Sequence, residues 1–586
     1  MSTTPSSRPT DTVFEPPMAG ASRDSAATAG GSDWVGYAIV LAVYALLLIL
    51  TRTVDQGDSN VYADDLVRWL RGRPTAARWD FGHVIWRPLH FMLFRTIHGA
   101  KDPATDGVLF SHAITMMTSI VVAVGALSVA TFRSWLRRLD VSPVAATTTT
   151  IAFATAAAFL GYTQTASSYV PALTMILIAL RELAADERQS DTRTILVASF
   201  AFALAVLLWF PMVLAVPAAA ISMILLRGSD ARRWKIAIAV SLLSGTITVV
   251  SYAPIAYLAG VRSVATFQKW MADATHDIQG IGGVSRAIIG FGRSLVNMDR
   301  LGLIAKRHLI GDPYNPASWA DVARAGLLRL AVLYAVLGAI VIWLARRASG
   351  RRALAFVIAT AIPVVGFALK WQGGDLERYL ALFPALFLAI ALAITLLPSR
   401  AQLAAGIAVV LALAVVNVPA IARSKSVAQC AQLTARLASV PRNDGKLAVL
   451  WTPHELDEIA SYRGRCPHSP LLTSPMPIRA FGLVMANNAR ATQWPDSLAS
   501  RSAQLWRAGG HLWVSRRAFV DTPLVTWKWA EGDDPRLHWK DFPTYFRQLD
   551  VGPPVGGEDG FVEVLPTPKT LEAMQRMRTK PAGLGG

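Results

Sequence analysis

Charge is scarce in this 586-residue chain. Asp, Glu, Lys and Arg make up 16% of it, against about a quarter in soluble domains. With 53% hydrophobic residues, that shortage excludes an ordinary water-soluble globule, which needs charge to face solvent. Cysteine is scarcer still. Cys430 and Cys466 are the two in the chain, with no CxxC pair and no His/Cys cluster of zinc spacing. A structural zinc module and a disulfide-built scaffold are thereby excluded, and whether these two cysteines pair is left open. No Asn-x-Ser/Thr acceptor occurs. The Gly-rich run Gln279–Gly283 lacks the Lys-Ser/Thr ending of a nucleotide-binding loop. Residues 1–33, rich in Ser, Thr, Ala and Gly, lack a basic stretch followed by an apolar run and cleavage site. We expect a disordered cytoplasmic tail there and no removable signal peptide.

What the chain has is apolar length. Crossing a bilayer as helix takes roughly 17–25 apolar residues. Stretches that approach this lie near 35–51, 108–132, 143–160, 168–181, 194–209, 211–226, 236–259, 324–345, 353–370, 379–397 and 402–422. The fold class read from them is a polytopic α-helical membrane protein of about eleven spans. Net charge is +18, and the basic residues cluster in alternate short loops. Arg133, Arg137 and Arg138 form one group, Arg181, Arg188 and Arg193 the next, then Arg227–Lys235, Arg346–Arg352 and Arg400. Lys and Arg stay on the cytoplasmic side, so this alternation places the N-terminus inside and residues 52–107, 260–322 and 371–378 outside. Basic loops facing anionic headgroups account for the charge, and no nucleic-acid partner is expected.

After residue 423 the composition changes to more charge, more Pro and short alternating stretches. Lys446–Trp451, His511–Ser515, Leu524–Trp529 and Phe561–Leu565 read as strands, Glu455–Tyr462 and Lys569–Arg578 as helices. Residues 424–586 are expected to form a small extracytoplasmic α/β domain, following a membrane domain over 34–423. Seven of the 18 Trp residues fall in this part. Packing in its core or resting at a membrane interface explains them better than a glycan-stacking platform.

The unusual ionisable residues gather on one expected side. Asp55, Asp58, His83 and Arg87 follow the first span, and Asp375, Glu377 and Arg378 sit between two late ones. Ser59–Arg71 and His83–His98 have helical periodicity, the first with Val61, Leu66 and Leu70 on its apolar face and the second with Ile85, Leu89, Met92, Leu93 and Phe94. Both suit amphipathic helices on the membrane surface. Singly, each polar residue has an ordinary role. Asp58 can cap the first helix, Asp64 and Asp65 can form its solvated face, and Arg87 can reach lipid phosphate.

Together they carry a resemblance. Asp58 followed four residues on by Tyr62, a helix closed by Gly72, and Trp86-Arg87-Pro88-Leu89 form one part. Gly374-Asp375-Leu376-Glu377-Arg378-Tyr379-Leu380 followed by Phe383-Pro384 forms the other. This is similar to the GT-C superfamily of polytopic glycosyltransferases, which includes protein O-mannosyltransferases and lipid A aminoarabinose transferases. The resemblance implies a polyprenyl-phosphate sugar as donor and a glycan, lipid or protein acceptor, while the high Ala and Arg content, the short loops and the missing Asn-x-Ser/Thr acceptor point to a bacterial inner membrane. Where many relatives have two adjacent acids, Asp58 is followed by Ser59, and their His-Pro-Pro-Leu segment is replaced here by Trp86–Leu89. Asp58 leads Asp55 as candidate base, and participation of a divalent metal stays open.

The chemistry asks for few groups. An acceptor hydroxyl needs a carboxylate to take its proton, whereas phosphate leaves without a second carboxylate acid, unlike in glycoside hydrolysis. One Asp therefore suffices, with inversion at the anomeric carbon. Arg87, Arg378 and His83 are the candidate donors to the leaving phosphate. Glu377, Tyr62 and Tyr379 are candidate orienting residues. The long loop 260–322, with Lys269, Trp270, His276 and Asp277, reads either as a flap or as a connection with short helices. A lipid-linked glycan ligase, a transporter or flippase, and a non-catalytic scaffold are the alternatives. Span interiors without strong charges and the lack of internal repeats disfavour the transporter.

Overall fold

A computed structural model describes residues 25–51, 59–72, 79–99, 102–104, 106–185, 189–273, 283–298, 318–423, 440, 447–450, 494–519, 541–557 and 560–579, with positions 301, 304, 305 and 308. Asp55 and Asp58 lie outside these residues, as do the predicted helix Glu455–Tyr462 and strand Leu524–Trp529.

The chain is a multi-pass membrane protein. Among the described residues, seven helices are long and apolar enough to cross a bilayer, or eight if one bent pair is a single span. These are α4 (Asp106–Arg138), α8 (Asp191–Leu208), α11 (Ala231–Leu258), α14 (Trp319–Ala345), α15 (Ala348–Lys370), the segment Leu376–Thr395 ending in α16 (Phe383–Thr395), and α17 (Ser399–Arg423). The bent pair is α5 (Pro143–Thr155) and α6 (Ala157–Thr163). Three more predicted spans correspond to shorter elements. They are the apolar part of α1 (Ser25–Thr51), the 15-residue α7 (Tyr169–Leu183), and a stretch broken into Phe210–Leu214, α9 (Val216–Ala220) and α10 (Ser222–Arg227). Pro211 and Pro217 stand in the first turns of two of those pieces, where a missing N–H costs nothing.

Burial differs sharply among the spans. The Leu376–Thr395 segment is 83% buried over its apolar window, whereas α14 is 11% buried. The former is thus the centre of the bundle, and α14 shows Leu328, Val332, Val336 and Ile342 to its surroundings. Such apolar outer faces are what lipid requires.

The bent pair is the main irregularity. Ala156 is extended (φ −62°, ψ 138°), and α5 meets α6 at 64°. A break inside a bilayer leaves backbone groups that must find partners. Asn417, fully buried on α17, donates through Nδ2 to the carbonyls of Thr155 (2.7 Å) and Leu295 (2.8 Å) and accepts from the Asn297 amide (2.7 Å). From the end of α6 onward, the segment Thr163–Ser168 is wholly buried. Its small hydroxyl side chains make this tolerable by bonding locally: Thr165 Oγ1 donates to the Tyr162 carbonyl and accepts from the Ser167 amide.

Two amphipathic helices, α2 (Ser59–Leu70) and α3 (Trp86–His98), precede α4. In the long loop, α12 (Val264–Asp273) and α13 (Val284–Leu295) are the described helices. Between these two readings of the loop, α13 fits the docked connection rather than the flap. The Gly283 amide donates to Leu369 O, Tyr334 donates to Ile288 O, and Tyr379 donates to Ala287 O (2.9 Å) and Gly373 O (2.7 Å). Gly290 sits so close to the turn at 373 that a Cβ there would land on the Gly373 carbonyl oxygen.

The C-terminal part has a three-stranded mixed sheet. β1 (Leu447–Leu450) pairs parallel with β2 (His511–Ser515), which pairs antiparallel with β3 (Phe561–Val564). Leu512 and Val514 on β2 and Val564 on β3 pack with residues of α18 (Trp494–Arg507), α19 (Asp541–Arg547) and α20 (Pro568–Thr579), among them Leu498, Phe546 and Met574.

Gly290→Ala is expected to loosen α13 from the turn. Overpacking of this kind costs about 1–3 kcal/mol. A lower thermal midpoint and faster limited proteolysis within 283–298 should follow, while Gly338→Ala, which meets open space, should change neither.

Candidate functional site

The helices of the first loop bury more than the apolar faces that their periodicity marks. On α2, Leu66 and Leu70 of that face are buried together with Tyr62, Ala63 and Asp65, while Val61 is exposed. On α3, Leu89, Met92 and Ile97 are exposed while Trp86, Arg87, His90 and Phe94 point inward. The polar side of α3 thus faces protein, leaving its apolar side for lipid. Asp65 is accordingly no solvated-face residue, and the reason is Arg87. Arg87 Nη1 donates to Asp65 (2.9 Å) and Nη2 to Asp80 (3.1 Å), with the arginine side chain 2% exposed. Its guanidinium carbon also lies 4.5 Å from the centroid of the Tyr62 ring, a cation–π contact. Asp80 Oδ1 in turn accepts the Gly82 amide at the head of the 81–83 turn.

Burial pushes the Asp65 carboxyl up from its ordinary value, and Arg87 pulls it back. His90 Nδ1 lies 2.8 Å from the Trp86 carbonyl, so it carries the proton, and Nε2 is buried without a partner. Burial lowers the His90 pKa to about 4.

His83 is seated on the buried polar segment. Its Nδ1 is 2.7 Å from Ser168 Oγ and 3.2 Å from the Leu208 carbonyl. Trp86 Nε1 donates to Ala166 O (2.9 Å), and the Ala166 amide donates to Ser59 Oγ (3.0 Å). Ser59 follows Asp58 directly, so the start of α2 is tied to the same platform.

The late loop arrives from the other side. Tyr162, on α6, donates to Glu377. Arg378 Nη2 donates to Gln372 Oε1 at 2.6 Å, while Glu377 stands 3.7 Å from the same nitrogen. Glu377 therefore holds Tyr162 by a hydrogen bond and Arg378 by charge alone. Gln372 has a left-handed backbone (φ 43°), a strained state kept by its surroundings. Arg378 Nε is buried without an acceptor. Tyr379 donates instead to the carbonyls of Ala287 on α13 and of Gly373, and serves as a clamp between them.

Tyr169 joins the halves. Its ring centroid is 5.7 Å from that of His83, 5.0 Å from Tyr162 and 4.8 Å from Trp209. Of the candidates from the sequence, the structure thus brings together Tyr62, His83, Arg87, Glu377 and Arg378. Asp80, Tyr162, Tyr169 and Gln372 escaped the sequence reading, and Asp65 was read there as part of a solvated face. Asp65 stands three residues from Tyr62, which places it on the same helix face.

Two spaces adjoin the cluster. An apolar groove of about 490 Å³ runs along α7, α8 and α11, lined by Met175, Ile178, Phe200, Leu204, Leu207 and Ile247 among others. Leu207 precedes the residue whose carbonyl meets His83. A second, polar cavity of about 180 Å³ is lined by Ala157, Arg293, Asn297, Met298, Leu376, Asn417 and Ile421. Among the described residues no three His, Cys, Asp or Glu side chains converge to hold a metal.

No protein-family profile and no curated protein matches this chain. Solved structures do. ArnT from Cupriavidus metallidurans in the apo state matches with TM-score 0.50 at 14% identity, over 93% of this chain and 99% of that one. The same protein bound to undecaprenyl phosphate matches with TM-score 0.49 at 14% identity, over 91% and 98%. The Pmt1–Pmt2 protein O-mannosyltransferase complex of S. cerevisiae, bound to the sugar donor, matches with TM-score 0.30 at 15% identity, over 45% and 37%. The chain therefore has the polytopic helical fold of ArnT, a fold that the sequence resemblance implied.

Arg87→Gln should leave two buried carboxylates without their cation, at a cost of about 3–5 kcal/mol. The loss would be read as a lower thermal midpoint, larger than that of the exposed-pair change Arg68→Gln. The His90 shift has a definite sign. Between about pH 6.5 and 4 the unfolded chain takes up a proton that folded His90 refuses, so folded stability falls as pH falls through that window. The ceiling is about 3 kcal/mol, and thermal midpoints of His90→Gln should lose that part of the slope.

Proposed function

We propose that this protein is an inverting glycosyltransferase that moves a sugar from a polyprenyl-phosphate carrier to an acceptor hydroxyl. The observation that carries the reading is the bridge at Tyr169. It brings His83 of the first loop and the Glu377–Arg378 pair of the late loop to one place. The fold shared with ArnT, one structure of which holds undecaprenyl phosphate, supports a lipid-linked donor.

In this reading Asp58 is the base, with Asp55 as the other acid at the exit of α1. The acceptor oxygen attacks the anomeric carbon as its proton passes to the carboxylate. The bond from that carbon to the phosphate oxygen breaks, and polyprenyl phosphate leaves with both electrons. Arg378 suits the leaving phosphate, because its Nε–H lacks an acceptor and a guanidinium offers two parallel donors to an oxyanion. His83 is held through Nδ1 beside Ser168 Oγ and the Leu208 carbonyl, which fixes its ring, and in this reading it is a third polar contact for the phosphate. Arg87 already serves two carboxylates, so its part is to fix Tyr62 and the 81–83 turn. The apolar groove beside Leu207 fits the polyprenyl chain.

The basic alternate loops support an N-terminus in the cytoplasm, and with it the site and C-terminal domain on the outer face of a bacterial inner membrane. Sugar identity and acceptor class belong to experiment. Purified protein and membrane extract, given radiolabelled sugars on polyprenyl phosphate, should yield labelled product. Asp58→Asn should lower the rate by about 10² or more, and Arg378→Gln by about 10²–10³, with both variants folded by thermal midpoint. Undiminished transfer in Asp58→Asn would hand the base role to Asp55.

A further inference from the structure

The far end of the bundle carries charge that the transferase reading leaves unused. α7 starts at Tyr169 in the candidate site and reaches Arg181 about 18 Å further along its axis. α8 runs the opposite way, from Asp191 to Leu208, whose carbonyl meets His83. On the membrane face opposite the site, four helix ends are tied by arginines. Arg138, closing α4, donates through Nη1 to the Arg181 carbonyl (2.7 Å), and Arg227, closing α10, donates through Nη2 to the Arg138 carbonyl. Arg193, exposed in the first turn of α8, comes near enough to act on Arg138 as a like charge, as does Arg181. Three of the described acids at this end are engaged. Asp191 pairs with Arg232 (2.6 Å), Asp230 with Arg233 (3.1 Å), and buried Glu182 is shared by Arg181 (3.4 Å) and Gln189 (2.7 Å). Asp140 is the fourth, exposed beyond the end of α4. Residues 133–140, 181–193 and 227–235 hold ten basic against six acidic side chains, so the excess is positive with every connecting residue counted. Arg138 and Arg227, both half-buried, each give one of five N–H donors to a neutral carbonyl. Partly desolvated guanidinium groups with donors to spare are unfavourable until an anion meets them.

We propose that this arginine cluster binds the phosphate of an anionic phospholipid drawn from the surrounding bilayer. What favours a lipid over a free anion is the apolar wall that continues from the cluster. Leu196, exposed on α8, stands three residues from Arg193 and so on the same helix face. The Arg232–Asp191 pair ties the head of α11 to that of α8, and α11 exposes Ile238 and Leu242 within its first three turns. Acyl chains thus find apolar surface directly beside the charges. Trp234, exposed at the head of α11 with Nε1 donating to Ser229 Oγ (2.8 Å), is the ring type favoured at headgroup depth. Basic pockets between helix ends on the cytoplasmic side suit such headgroups, and the basic alternate loops put this end there. The inference goes beyond the transferase reading and does not rest on it.

The test uses the full chain, delipidated in a non-ionic detergent. Thermal midpoints are compared with added phosphatidylglycerol, with phosphatidylcholine of the same acyl chains, and with inorganic phosphate. Phosphatidylglycerol should raise the midpoint by about 2 °C or more over the other two. Arg138→Gln with Arg193→Gln should abolish that rise. Should the pair fail to fold, Arg193→Glu alone, at an exposed position, should at least halve it. Arg346→Gln with Arg352→Gln, which removes two exposed charges of other basic loops, should leave it whole. An equal rise with phosphatidylcholine, or with inorganic phosphate, would overturn the anionic-lipid assignment. Equal losses in the two double variants would overturn the site in favour of diffuse surface charge. Sugar transfer by the wild type is a separate readout, so failure of the lipid site leaves the transferase reading standing.

Discussion

The bond from Asn417 Nδ2 to the Thr155 carbonyl is what lets a membrane helix break at Ala156. In hydrocarbon, an unpaired carbonyl costs several kcal/mol, so the break needs a donor from a neighbouring helix. Once it exists, α6 leaves α5 at 64° and delivers Tyr162 to Glu377. The same side chain also holds the end of α13 through Leu295 O and the Asn297 amide. One buried amide therefore ties two elements beside the candidate site to α17: the broken span and the docked helix of the long loop.

Charge is placed with equal consequence. A buried ion is stable only where partners replace water. Arg87 meets that condition with two carboxylates and the face of the Tyr62 ring, and so it organises α2, α3 and the 81–83 turn into one unit. Arg378 meets it with one carboxylate and Gln372, and its Nε–H has no acceptor. Unmet donors at a preorganised position are the property that binding a developing anion requires. The buried hydroxyl-rich segment 163–168 beneath them supplies hydrogen bonds without net charge, which keeps the field of the arginines intact.

Much of this was legible in the sequence. Apolar run length marked the spans, because bilayer thickness sets a minimum that few other structures need. The strands His511–Ser515 and Phe561–Val564 were visible from alternation. The grouping of His83, Arg87, Glu377 and Arg378 came from a resemblance at the two ends of the membrane part. Less visible was which face of α3 turns inward. Periodicity locates an apolar stripe but cannot say whether lipid or protein covers it. For α3 lipid takes the stripe, and Arg87 and His90 go to the interior.

The sequence by itself determined the class of the molecule, the positions of most spans and the short list of ionisable residues outside them. These follow from local composition, since hydrophobic length and charge scarcity are properties of contiguous residues. Tertiary structure decided what each charge does. Arg87, Arg378 and Arg293 are the same residue type with the same local propensities. They differ because Asp65 and Asp80 face the first, Glu377 the second and a cavity the third. Coulomb energy depends on distance and burial, and those are set by segments far apart in the chain.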